Sequence, residues 1–221
     1  MTPQTDFERA RFNMIEQQIR TWEVLDQRVL DLLFRVRREE FTPETHRALA
    51  FMDMEIPIGH GEKMLQPKQE ARMLQELALD ASDRVLEIGT GSGYMTALLA
   101  SLSAHVYSVD IHSDFTRTAI AKLAQHGYTN VTPETGDAAR GWDKHGPYDA
   151  IVLTGSVPLL SESFRTSLKP GGRLLAVVGE PPVMEALLIT CVGAAAYNTV
   201  TLFETCIAPL KNAQQPERFV F

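Results

Sequence analysis

Apolar residues recur along the chain with two different periods, and the change between them divides the sequence. In residues 7–19, Phe7, Phe12, Ile15 and Ile19 stand among charged neighbours, which predicts an amphipathic helix with those four facing inward. Asp26 is placed to cap a second helix whose Val29, Leu30, Leu32, Leu33 and Val36 crowd one face. Pro43 and its polar neighbours end that run. Residues 50–66 show no clear period and hold Pro57, Gly59 and Gly61, so an ordered loop is expected there, a setting in which binding residues concentrate. Pro67 suits the first position of a further helix reaching Leu79, with Met73, Leu74 and Leu77 inward.

From Arg84 the period changes. Strand-like runs at 84–88, 105–110, 131–135, 148–153 and 172–178 alternate with helix-like runs at 94–102, 114–126 and 158–168. That alternation predicts an α/β fold with a mostly parallel, doubly wound sheet covered by helices on both faces. Lys169-Pro170-Gly171-Gly172 is expected to turn from helix to strand. Two longer runs, 183–192 and 197–207, with Gly193 and Asn198 near the bend, predict a C-terminal hairpin closing the sheet with an antiparallel edge.

Length and charge narrow the classes. The 221 residues fit one domain, and a net charge of −7 argues against a broad nucleic-acid-binding surface. Residues 1–20 carry too many charges for a secretory leader, and the longest apolar run, 186–196, is too short to span a bilayer, so a cytoplasmic protein without a membrane partner is expected. Cys191 and Cys206 form no C-x-x-C pair and read as reduced core residues. The histidines form no H-x-x-x-H or H-x-E pair, so no metal site is expected.

The chemistry concentrates after the first strand, in Glu87-Ile88-Gly89-Thr90-Gly91-Ser92-Gly93-Tyr94. A strand, a glycine turn and a helix start make a nucleotide-binding corner, because glycines let a ligand lie against bare backbone and the helix start offers unpaired amides. The spacing G-x-G-x-G differs from the dinucleotide G-x-G-x-x-G, no Lys follows as in a P-loop, and the middle residue is Gly91 rather than a nucleophilic Ser. The pattern E-x-G-x-G-x-G resembles the first motif of Rossmann-like S-adenosylmethionine (SAM) dependent methyltransferases. Negative charge from Glu87 near the turn would suit a ligand with an ammonium and a sulfonium. Asp110 ends the next strand, where it would either accept hydrogen bonds from ribose hydroxyls or cap a helix. Ile111 beside it would line an adenine face, and Thr154 would face the same crevice. Asp137, followed by Ala138, resembles the acid that meets the adenine amino group in this class, the other reading being a turn residue.

Matches beyond that motif give a wider resemblance. Val36-Arg37-Arg38-Glu39-Glu40-Phe41-Thr42-Pro43, Asp53, Ile56-Pro57-Ile58-Gly59-x-Gly61, Gln66-Pro67, Gly136-Asp137 and Pro209-Leu210 are similar to stretches of the protein-L-isoaspartate O-methyltransferase family, over most of the chain. The resemblance implies a Rossmann-like methyltransferase fold in a single domain, 1–221, with a helical N-terminal part and substrate loop (1–80), a SAM-binding core (81–180) and a C-terminal hairpin (181–221). It implies methyl transfer from SAM to the carboxylate of isoaspartyl residues in damaged proteins or peptides, by a monomer or weak homodimer. Cofactor contacts would come from Met64, Glu87, Gly89, Thr90, Gly91, Ser92, Gly93, Asp110, Ile111, Asp137, Ala138 and Thr154, and substrate contacts from Ile58, Gly59 and Gln66.

The family's substrate loop reads G-Q-T-I-S-Q-P, its Ser being the residue marked as the active site, whereas this chain has Gly61-Glu62-Lys63-Met64-Leu65-Gln66-Pro67. Leu65 stands where the Ser would be and Lys63 where the Thr would be. Lys63 would either attract a substrate carboxylate or stay solvated, and His60 would either act in the loop or sit on its surface. The departure leaves two alternatives: a SAM-dependent methyltransferase of another substrate, or a catalytically silent SAM-binding regulatory protein.

Overall fold

The computed structural model describes residues 3–217. Helix α1 (Pro3–Met14) runs on into a π-helical turn at Ile15–Ile19. Helix α2 (Gln27–Arg35) starts where Asp26 accepts a hydrogen bond from the Arg28 amide at 2.8 Å, as its position predicts, and its Val29, Leu30, Leu32 and Leu33 are buried with Val36 beyond them. The expected face of α1 needs one correction. Phe12 is 53% exposed whereas Arg11 is buried, because the inward stripe passes through Phe7, Arg11, Met14 and Ile15 at i, i+4, i+7 and i+8. Phe12 meets Phe34 on the outside instead.

After the short helix α3 (Arg38–Phe41), the segment expected as a loop contains an antiparallel hairpin of β1 (Ile56–Gly59) and β2 (Glu62–Met64), with Ile56 opposite Met64 and Pro57 opposite Lys63. Strands this short give no readable alternation. Helix α4 (Pro67–Leu77) has Pro67 in its first turn and buries Met73, Leu74 and Leu77.

The rest of the chain alternates as its period predicts: β3 (Arg84–Ile88), α5 (Tyr94–Leu102), β4 (His105–Asp110), α6 (Ser113–Gln125), β5 (Val131–Thr135), β6 (Tyr148–Val157), α7 (Glu162–Thr166), β7 (Leu168–Glu180), β8 (Val183–Gly193) and β9 (Ala196–Thr205). The sheet order is β5-β4-β3-β6-β7-β8-β9, parallel through β7 and antiparallel at β8 and β9. From central β3 the chain moves outward through β4 and β5, then returns to the other side through β6. That reversal is a switch point, where the crevice past the strand carboxyl ends receives ligands.

Three local expectations change. Helix α7 is shorter than 158–168, because Leu168 already pairs with Tyr148, and Lys169–Gly172 fall in a break of register before Arg173 pairs with Ala150. The hairpin bends between Gly193 and Ala196 with Ala195 at φ 53°, so Asn198 lies inside the ladder opposite Thr190. Cys191 is buried but Cys206 is exposed, since it follows the edge strand β9 where one side has no neighbour; both are free thiols. Among the described residues no helix is long and apolar enough to cross a membrane.

One buried cation joins the N-terminal helices, the hairpin and the sheet layer. Arg38, 1% exposed, pairs with Glu70 of α4, donates from Nε to the Ala50 carbonyl (2.9 Å) and from Nη2 to the Leu65 carbonyl (2.7 Å), and lies 5.1 Å from the Tyr94 ring centroid. Removing one partner of a buried pair leaves an uncompensated charge and costs about 3–5 kcal/mol. Arg38→Ala is therefore expected to lower unfolding free energy by that amount in urea titrations; a loss under about 1 kcal/mol would contradict the role assigned to this pair.

Candidate active site

The turn after β3 is held from two sides. Thr154 of β6 donates to the carbonyls of Ile88 (3.0 Å) and Gly89 (2.7 Å), and a Cβ on Gly89 would lie 2.3 Å from the Thr154 hydroxyl oxygen. Gly89 also has φ 98°, so this position needs glycine on both counts. From the other side, Asp110 at the end of β4 accepts from the Gly91 amide through Oδ2 and from the His112 amide through Oδ1, both at 2.8 Å. Burial raises the Asp110 pKa, while those two amides oppose the rise.

Beyond this turn opens a cavity continuous with solvent. Gly89, Thr90, Gly91 and Ser92 form one wall, with Asp110, Ile111, Asp137, Ala138 and Thr154 beside them. Ile58, Lys63, Met64 and Leu65 of the hairpin segment close the opposite side. The fold thus brings the glycine turn and the substrate-loop segment onto one space. Gly59, His60, Gln66, Glu87 and Gly93 do not line it. Gly93 starts α5, the Gln66 amide donates to the Gln69 side chain at 3.2 Å, and His60 sits at the exposed hairpin tip.

Glu87 is the main correction to the expected cofactor set. It is fully buried, with Oε2 accepting from Thr96 (2.5 Å) and Ser108 (2.6 Å), while Oε1 has no partner. Burial pushes its pKa to about 8, against the pull of those two hydroxyls. Burial thus favours the protonated acid, and Glu87 braces β3 against β4 and α5 without lining the cavity.

Sequence reasoning missed several lining residues, among them Glu55, Glu62, Glu70, Met95, His112, Phe115, Leu210 and Lys211. Glu70 carried a signal, since it lies in phase with the inward Met73, Leu74 and Leu77. Glu55 and Glu62 lie in the 50–66 segment where binding residues were expected and His112 follows Ile111, whereas Met95, Phe115, Leu210 and Lys211 carried no such signal. Lys63 is 46% exposed and bonds Glu55 at 2.8 Å, and Lys211 bonds Glu62 at 3.0 Å, so both cations in the wall are already partnered. The wall therefore has acids in excess, beside the apolar surface of Ile111, which fits a ligand carrying positive charge and an aromatic base.

The fold and the cavity suit a SAM-dependent methyltransferase, the class to which the matches assign the chain. Residues 9–199 match the family described as protein-L-isoaspartate (D-aspartate) O-methyltransferase. The chain is 41% identical over 208 residues to the protein-L-isoaspartate O-methyltransferase of Rhodopseudomonas palustris, covering 92% of this chain and 95% of that one. It is 39% identical over 202 residues to that of Methanoculleus marisnigri, covering 91% of each. In fold it is similar to a Plasmodium falciparum protein described as a protein-L-isoaspartate O-methyltransferase in complex with S-adenosyl-L-homocysteine, with TM-score 0.76, 20% identity, and coverage of 93% of this chain and 98% of that one. The chain belongs to the protein-L-isoaspartate O-methyltransferase family.

The buried acid makes stability depend on pH with a definite sign. Glu87 has a folded pKa near 8 against the ordinary 4.5, so its contribution is complete below about 4.5 and is lost as pH rises through about 8. Between those limits the unfolded chain binds fewer protons, and stability falls with pH. Glu87→Gln keeps an oxygen for Thr96 and Ser108 and removes the titration. The melting temperature of the natural protein is expected to fall relative to that of Glu87→Gln between about pH 5 and 8; a constant difference across that window would mean that Glu87 is ionised in the fold.

Proposed function

We propose that the chain methylates the carboxylate of isoaspartyl residues in damaged proteins or peptides. The observation that carries this reading is the shared cavity: Gly89 to Ser92 of the cofactor turn and Met64–Leu65 of the substrate-loop segment line one space. SAM, when bound, supplies an activated methyl group on a sulfonium. Asp110 offers a carboxylate at the end of β4 for the ribose hydroxyls, Ile111 an apolar face, and Asp137 an acid, its Oδ2 held by Asn212 at 2.8 Å. The acceptor needs no general base, because a carboxylate with pKa near ~4 is already ionised at pH 7. The protein's work is then to bring the carboxylate oxygen in line with the methyl carbon and sulfur and to keep water out, and alignment supplies several kcal/mol of barrier reduction. The new oxygen–carbon bond forms as the sulfur keeps the departing electron pair, so no proton moves. The backbone amide nitrogen that follows an esterified isoaspartyl then attacks the ester carbonyl and releases methanol, closing a succinimide, which begins repair.

A second reading, methyl transfer to a different acceptor, is favoured by Leu65 alone, which is 7% exposed and offers no hydroxyl for a substrate carboxylate. Loss of one orienting hydrogen bond costs roughly 1–3 kcal/mol, up to about a hundredfold in rate. One experiment separates these readings. With methyl-labelled SAM and an isoaspartyl peptide, the protein is expected to form a base-labile methyl ester. Leu65→Ser should raise that rate, by up to about a hundredfold. Binding of S-adenosyl-L-homocysteine without ester formation above a protein-free control would overturn the isoaspartyl assignment, and labelling of other molecules in a cell extract would then support the second reading.

A further inference from the structure

The hairpin tip and the start of α6 bring together three groups that lie far apart in sequence. His60, His112 and Asp114 each offer one ligand atom, and these atoms all lie within 4.8 Å of one another. His60 Nε2 is 2.8 Å from Asp114 Oδ2, and the two imidazoles are stacked with centroids 4.1 Å apart and planes inclined by 10°. His112 Nε2 is buried without a hydrogen-bond partner, the nearest acid oxygen, Glu62 Oε1, standing 4.0 Å away. The edge of Phe115 packs on both rings, giving the pair an apolar backing.

The backbone at the tip bears on how this cluster is read. His60 has φ 53° between Gly59 at 113° and Gly61 at 79°. A side chain at such a position carries a backbone cost that glycine avoids, and such costs persist where the residue's placement is used. Here the left-handed turn aims the His60 ring at α6.

We infer that His60, His112 and Asp114 form a binding site for a divalent transition metal ion of the zinc class. Two imidazoles and one carboxylate are a ligand set that zinc accepts, at about 2.0–2.2 Å from each donor. Tetrahedral angles at those lengths place donors about 3.3 Å apart with the ion in the plane of each ring, so the stacked imidazoles turn out of their parallel arrangement and the His60–Asp114 hydrogen bond gives way to coordination. The orphaned His112 nitrogen gains a partner in the same step. The fourth position is left to water or to Glu62, whose other contact is Lys211 at 3.0 Å. The ion would tie the hairpin tip to the β4–α6 connection, which carries Asp110 and His112 at the cavity wall.

Tag-free full-length protein, treated with chelator and desalted, would be titrated with Zn²⁺ by calorimetry and with Co²⁺ by visible absorption at pH 7.5. One Zn²⁺ per chain is expected, with a Co²⁺ spectrum of nitrogen and oxygen coordination that Zn²⁺ abolishes. His60→Gly, which suits the left-handed backbone, and Asp114→Asn should each weaken binding at least about tenfold, with folding of both checked by thermal melting in chelator. Absence of saturable binding, or binding that both folded variants leave unchanged, would overturn the assignment and leave the cluster a hydrogen-bonded clasp.

Discussion

Arg38 is buried with its charge on Glu70 and its other donors on the carbonyls of Ala50 and Leu65, so three separate segments meet on one planar fork. A lysine could not do this, because its single ammonium presents no rigid set of donors along divergent directions. The arrangement is expensive: both charges leave water, and the attraction between them offsets that cost only while every donor is satisfied. Its return is geometric. The Leu65 carbonyl fixes the end of the hairpin segment, and Glu70 fixes the first turns of α4, so the wall carrying Met64 and Leu65 stands at a set distance from the sheet.

The cofactor side of the cavity is fixed differently. It rests on hydrogen bonds between neighbouring strands and their loops: Thr154 clips the turn from β6, Asp110 clips it from β4, and Thr90 and Ser108 share a bond at 2.6 Å. Glu87 lies beneath, bonded to Thr96 of α5 and Ser108 of β4. An acid before the glycines therefore shapes the turn from behind, whereas Asp110, at the end of the next strand, reaches the cavity. Strand parity explains the assignment. Side chains alternate along β3, so Glu87 shares the Val85 side that packs against α5, whereas Ile88 falls on the side that lines the cavity.

Most of the parallel core was legible in the sequence, because apolar strands and amphipathic helices of ordinary length carry strong periods, whereas the parity that turns Glu87 away from the cavity was not drawn from it. Asp110 and the glycine turn were legible for a related reason: their positions are set by the ends of those strands. The β1–β2 hairpin was not, since two short strands interrupted by left-handed residues leave no alternation to read. The face of α1 was misread because Arg11 is polar by type and buried by pairing with Glu39, a partner that no local pattern reveals. Lys211 reaches the cavity only through contacts between distant segments, which a one-dimensional pattern does not record.

These two modes of support bear on the departure at Leu65. The segment's path is set by its backbone carbonyl and by Arg38, neither of which depends on the side chain at that position. Exchanging a hydroxyl for an apolar branch therefore changes what the acceptor meets without moving the wall or disturbing the turn across from it. The cations nearby do not take over the lost hydrogen bond while they are engaged, Lys63 with Glu55 and Lys211 with Glu62. A carboxylate entering this space competes with those glutamates for the same ammonium groups. Both pairs are partly exposed, and exposed pairs hold by only about 0–1 kcal/mol. Glu55 therefore holds Lys63 by only a weak, partly exposed pair.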